Sequence, residues 1–208
     1  MYRVALICVL LLLASSAEAR EVVLVEQESS FDLGVIEDIE IEKTLVGTLN
    51  DFPHTFEMVV TTPTDFSVDI LAPSSNENPN FSGILTVEVE RGVREVARLP
   101  GSEASWETVS DQIAGLQFQT GPSLDLSLEP GFYWFEVSTP TNEGTYVLKI
   151  GDVDNGRGYF SALSDVYDLR RALGYSRVSM LASPLIYGPL LVLLFGGYVV
   201  YRRRKRND

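Results

Sequence analysis

Between Glu21 and Ile150 the chain alternates in steps of two. Ile39 and Ile41 are interleaved with Asp38, Glu40 and Glu42, and Leu85, Val87 and Val89 with Thr86, Glu88 and Glu90. In an extended strand successive side chains point to opposite faces, so such segments bury one face and wet the other. Half-buried strands of this kind belong to antiparallel sheets. The same reading gives strands at Val22–Val25, Asp38–Leu49, His54–Thr61, Phe66–Leu71, Gly83–Glu90, Val93–Leu99, Leu116–Thr120, Leu124–Leu128, Phe132–Ser138 and Thr145–Ile150. Turn-forming runs separate them, among them Asn50-Asp51-Phe52-Pro53, Pro100-Gly101-Ser102, Gly121-Pro122-Ser123 and Glu129-Pro130-Gly131. About ten short strands without a helical period between them predict an all-β domain, an antiparallel jelly-roll-like β-sandwich over residues 20–155.

The pattern changes after Gly156. Tyr159, Leu163, Val166, Tyr167, Leu169 and Leu173 recur at three- and four-residue spacings, with Asp165, Asp168, Arg170 and Arg171 between them. This predicts a short amphipathic helix ending near Gly174, within a juxtamembrane connector spanning 156–181. Packing on the sandwich, lying on the membrane surface and meeting a partner helix are the settings open to it. From Ser183 to Tyr201 the chain is apolar over nineteen residues, a rod of about 28 Å at the helical rise, close to the hydrocarbon thickness of a bilayer. A transmembrane helix is therefore expected over 182–201. Arg202, Arg203, Arg204, Lys205 and Arg206 follow it directly and form a basic tail, 202–208. Residues 1–19 combine Arg3, an apolar run Val4–Ala14 and the ending Ala17-Glu18-Ala19, which predicts a cleaved signal peptide. With five cations behind the second apolar segment, the positive-inside rule gives a single-pass, type I orientation in the cytoplasmic (plasma) membrane, N-terminus out and C-terminus in.

Between residues 20 and 180 lie 27 acidic and 10 basic residues, a net charge near −17. A surface that negative repels nucleic acid and anionic headgroups and favours cations or basic partners. The single cysteine, Cys8, lies in the signal segment, so a disulfide framework in the exported domain is not expected. His54 is the only histidine, and a Gly-x-Ser-x-Gly setting for a nucleophile is absent. The chain therefore reads as non-enzymatic, and a zinc site would need an almost wholly carboxylate ligand set. Asp152, Asp154 and Asn155 bring three oxygen-bearing side chains into a loop closed by Gly156. Converging oxygens suit calcium, although an ordinary Asx turn uses the same residues. No other cofactor is expected. In the run Phe132, Tyr133, Trp134, Phe135 alternate rings share a face. Tyr133 and Phe135 are either core or a binding platform, and Trp106, in the long stretch Gly101–Gly115, is a candidate contact residue.

The segment Leu128-Glu-Pro-Gly-Phe-Tyr-Trp-Phe-Glu-Val-Ser138, followed by Gly144-Thr-Tyr-Val-Leu-Lys-Ile150, resembles the closing hairpin of the bacterial pre-peptidase C-terminal domain family. Val46-Gly-Thr-Leu49, Thr55-Phe-Glu-Met-Val-Val60 and Phe66-Ser-Val-Asp-Ile70 look like its opening strands. The resemblance covers about residues 44–151. It implies a jelly-roll-like sandwich of the kind appended to exported hydrolases, though here an apolar helix follows and a peptidase does not precede.

The expected function is recognition or scaffolding: an acidic β-sandwich on the outer side of a lipid bilayer, binding a protein or polysaccharide partner. An accessory module for an exported hydrolase or transporter complex is the second reading, and a carboxylate-dependent hydrolase the third. The sequence leaves the oligomeric state open.

Overall fold

The computed structural model describes residues 20–154 and 156–207, apart from the side chains of 200, 201, 203, 204 and 207. The expected signal peptide, with Cys8, lies outside the described residues, as does Asn155. Eleven strands form: β1 Glu21–Leu24, β2 Leu33–Val35, β3 Lys43–Asn50, β4 His54–Val60, β5 Thr64–Pro73, β6 Ser82–Val89, β7 Gly92–Leu99, β8 Glu107–Asp111, β9 Leu116–Leu128, β10 Gly131–Ser138 and β11 Glu143–Ile150. Helix α1 covers Tyr159–Ala172, a 3-10 turn Arg177–Ala182, and helix α2 Pro184–Asn207.

The strands make two sheets. Sheet A runs β1-β3-β11-β5-β9-β8 and sheet B runs β2-β4-β10-β6-β7. The sandwich expected from the alternation is present. It is not purely antiparallel, because β1 pairs with β3 and β2 with β4 in parallel. Both exceptions are short N-terminal edge strands that reach the sheet from a loop and not from a hairpin. Nor does Asp38–Leu49 form one strand. Asp38 has a φ of 46° and the Ile41 amide donates back to its carbonyl, so the chain turns before pairing begins at Lys43. Gly121-Pro122-Ser123 is no turn: β9 runs straight through it. The register against β5 shifts between Asp69 and Leu71, so the proline falls at a bulge, where a missing N–H is tolerated.

Two cores share sheet A. Phe56, Met58, Leu85 and Phe135 of sheet B face Phe66, Val68, Ile70, Tyr146 and Leu148 of sheet A across the sandwich. On the opposite side of sheet A, Val46, Leu71, Leu116, Phe118 and Val147 pack against Val166 and Leu169 of α1. Strands buried on both faces lose their alternation, hence the unbroken Tyr146-Val147-Leu148 and Ile70-Leu71-Ala72. Helix α1 stops where the spacing places it, because Gly174 has a φ of 79° and closes a Schellman cap. Its amide donates to the Arg171 carbonyl, and that of Tyr175 to the Arg170 carbonyl.

Of the settings open to the amphipathic stretch, packing on the sandwich is the one seen: α1 covers sheet A and contributes to its outer core. The expected crossing of 182–201 is not shown. Among the described residues no helix is long and apolar enough to cross a membrane. The count of nineteen begins with residues already used by the domain: Ser183 is buried and its hydroxyl donates to the Ile113 carbonyl at 3.3 Å, while Leu185 packs on the outer core. It ends with Val200 and Tyr201, whose side chains are outside the described set.

Candidate functional site

The turn between β8 and β9 is the point to which the C-terminal segment is fastened. Asp111 Oδ1 accepts from the amides of Ile113 and Ala114, and the Gly115 amide donates to the Asp111 carbonyl, so the turn presents its remaining carbonyls outward. Arg170 of α1 takes them. Its Nε and Nη2 donate to the Ala114 carbonyl at 3.1 and 2.7 Å, Nη2 also reaches Gly115 at 3.2 Å, and Nη1 donates to Ser179 at 2.6 Å. The residue is buried, and desolvation pushes its guanidinium below the usual arginine range. Arg20 closes the other side of the turn, pairing with the buried Asp111 and, at 3.8 Å, with Glu42. The Tyr159 hydroxyl donates to the Leu185 carbonyl at 2.6 Å. Helix α2 thus leaves the domain from a fastened base.

Beyond that base the described side chains of α2 are largely exposed. Leu190, Leu191, Val192, Leu193, Leu194 and Phe195 are all exposed, six successive positions that pass all the way round a helix. Of the tail cations, Arg202, Lys205 and Arg206 continue this helix with described side chains; those of Arg203 and Arg204 fall outside the described set.

The two outer faces of the sandwich differ. Sheet A's carries α1. Sheet B's carries nothing among the described residues, and its outward positions read across the strands in register. One row is Val35, Glu57, Trp134, Thr86 and Glu95; the next is Leu33, Thr55, Glu136, Ile84 and Arg98; beyond them Val59 pairs with Phe132, and Glu88 with Val93. Phe132 is 50% exposed, Val59 52% and Val35 68%, and Phe31, two residues before β2, is 91% exposed. The outer face of sheet B thus mixes exposed apolar side chains with Glu57, Glu88, Glu95, Glu136 and Arg98.

The residues singled out from the sequence fall in different places. Tyr133 and Phe135 face the core: Phe135 is fully buried, edge-on to Phe66 at 6.2 Å, and the Tyr133 hydroxyl donates to the Glu129 carbonyl. Their neighbours Phe132 and Trp134 hold the outer face, which the alternation had assigned to one side or the other without deciding which. Trp106 is half-buried. Its indole donates to the Gly101 carbonyl at 3.1 Å, and its ring lies flat over Gly121, where a Cβ would come within 2.4 Å of it. Asp152 and Asp154 are exposed, and Asp154 accepts from the Gly156 amide at 2.9 Å, an Asx turn. Among the described residues no three carboxylates or histidines converge as a metal site would require.

His54 is buried, with Nδ1 at 2.8 Å from the Tyr146 hydroxyl. Burial pushes its pKa down, and that of Tyr146 up. A histidine held neutral in the folded state costs stability as pH falls below its unfolded value, because only the unfolded chain then takes up the proton. This pair is a structural contact of the core. A recess of about 600 Å³ lies between the 73–80 loop and the β10–β11 turn, lined by Asn76, Asn78, Thr139, Thr141, Glu143 and Thr145. It brings amides and hydroxyls together with a single carboxylate.

No protein-family model matches the chain, and no curated protein sequence matches it. Solved structures similar to it include the pre-peptidase C-terminal domain of a collagenase from Bacillus anthracis, the family that residues 44–151 resemble. It is 15% identical, with a TM-score of 0.39 over 60% of this chain and 99% of that one. A mitogen derived from Yersinia pseudotuberculosis is 15% identical, with a TM-score of 0.37 over 56% of this chain and 89% of that one. A periplasmic inhibitor of g-type lysozyme, PliG from Aeromonas hydrophila, is 12% identical, with a TM-score of 0.34 over 64% and 99%. At these values the likenesses say nothing of ligand or activity.

Proposed function

We propose that this chain is a membrane-anchored recognition protein. The sandwich stands outside the cytoplasmic membrane, α2 holds it there, and the outer face of sheet B is where a partner docks. The observation that carries the reading is the contrast between the two sheets: one outer face is covered by α1, and the other leaves Phe132, Val59 and Val35 exposed beside the half-buried Trp134. Anchoring is supported by the six exposed apolar residues from Leu190 to Phe195. A helix apolar all round needs a non-aqueous surrounding, and the domain does not provide one. The cations from Arg202 to Arg206 then lie on the cytoplasmic side. Catalysis is not part of this function; binding is.

The test is a photo-crosslinking amino acid placed at Phe132 of the full chain in its own cells, compared with the same group at Asp125, an exposed position of β9. A discrete adduct in the membrane fraction from position 132 and none from 125 is expected. Equal yields from both positions, or none from 132, would remove the recognition role.

A further inference from the structure

We infer that the outer face of sheet B receives an arginine or lysine side chain of a partner protein, seated on Trp134 between Glu57 and Glu136. The inference rests on the reading of this face as a recognition surface, and it names the chemistry of the occupant. Glu57 stands directly across from Trp134 on β4, and Glu136 follows two residues along β10 on the same face. An aromatic ring attracts a cation to its face, and two flanking carboxylates supply hydrogen-bond acceptors for an ammonium or guanidinium. Arg98, the cation of the neighbouring row, is paired with Glu95 and is also drawn by Glu136, so a visiting cation competes with it for the second carboxylate. Arg91 and Arg94 sit away from it, on the β6–β7 turn and the β7 edge. Phe132 and Val59, opposite each other in register, give the apolar contact beside the charged one. The net charge near −17 of residues 20–180 acts in the same direction, steering a basic partner towards the domain. A neutral sugar's hydroxyls could also donate to Glu57 and Glu136, but only a cation gains from their charge, and that favours the cation.

The full chain, reconstituted in lipid nanodiscs, is titrated with short synthetic peptides of alternating glycine and arginine, and with matched peptides carrying glutamine or glutamate. A soluble glucan oligosaccharide is run alongside. The indole N–H signals of Trp106 and Trp134 are followed by nuclear magnetic resonance, with Trp106→Phe to assign them. Expected is a shift of the Trp134 signal by the arginine peptide alone, weakened about tenfold in the Glu57→Gln/Glu136→Gln chain and weakened again as salt is raised. Both glutamates are on the exposed sheet face, and an unchanged thermal transition checks that their replacement leaves the fold intact. Equal binding of the glutamine peptide, or an unchanged affinity in the double variant, overturns the cation inference and leaves the recognition reading standing. A Trp134 shift by the glucan and not by the arginine peptide does the same in favour of carbohydrate. No shift of Trp134 with any probe also overturns it, while the crosslinking at Phe132 independently decides whether the face binds at all.

Discussion

Arg170→Met should detach the C-terminal segment from the sandwich. The methionine keeps an apolar stem of similar length but none of the donors, so the carbonyls of Ala114, Gly115 and Ser179 lose their partner in a buried setting. A buried acceptor left without a donor costs about 1–3 kcal/mol, and bonds to a charged donor lie at the upper end. A loss of about 3 kcal/mol is expected, which for a chain of this size lowers the thermal midpoint by roughly 10 °C. Arg170→Lys should recover only part of it, because one ammonium cannot reach carbonyls on both sides of the helix end. Hydrogen exchange places the loss: the amides of 159–182 should exchange faster while those of β4, β5 and β10 stay protected. Unchanged protection of α1 in Arg170→Met would mean that the outer core alone fastens the helix.

The second large effect separates the two sides of β10. Phe135→Ala removes a fully buried ring from the middle of the sandwich, where it meets Phe66 and closes over Gly83. Buried phenylalanine truncations cost about 3–5 kcal/mol, the lost transfer energy plus that of the cavity. Phe132→Ala, three residues earlier on the opposite face, should change stability by no more than about 0.5 kcal/mol. Urea unfolding of the two variants with the slope held in common measures both. Comparable losses would show that Phe132 is covered, and the proposed docking face would lose its central residue.

The sandwich was legible because alternation survives wherever a strand has one wet face. Gly83 to Glu90 and Phe132 to Ser138 read correctly to within a residue for that reason. The parallel edges were not legible. β2 has only three residues and its pairing with β4 depends on the path of a loop, which periodicity does not encode. β8 was missed because Glu107-Thr-Val-Ser-Asp111 is polar at both ends and lies at the edge of sheet A, where little is buried. The turn read at Gly121-Pro122 failed because those residues serve a bulge and a tryptophan ring. The cover on sheet A did leave a trace, in Ile70-Leu71-Ala72 and Tyr146-Val147-Leu148, whose two-sided burial a strict alternation would forbid. The outer face of sheet B was half legible: the aromatic run was visible, but which pair of rings faces outward is set by the register with β4 and β6. Arg170 gave no signal at all. Its partners are backbone carbonyls, at Ala114 and Gly115 some 55 residues away and at Ser179, and a carbonyl has no letter in a sequence.

The most direct measurement is cysteine labelling with a membrane-impermeant maleimide in sealed cells, using Phe132→Cys and Lys205→Cys in otherwise unaltered chains. Labelling of position 132 in intact cells, and of position 205 only after the membrane is opened, is the expected result. Position 205 labelled in intact cells, or position 132 reached only after lysis, would contradict an acidic sandwich held outside the membrane with its sheet B face free.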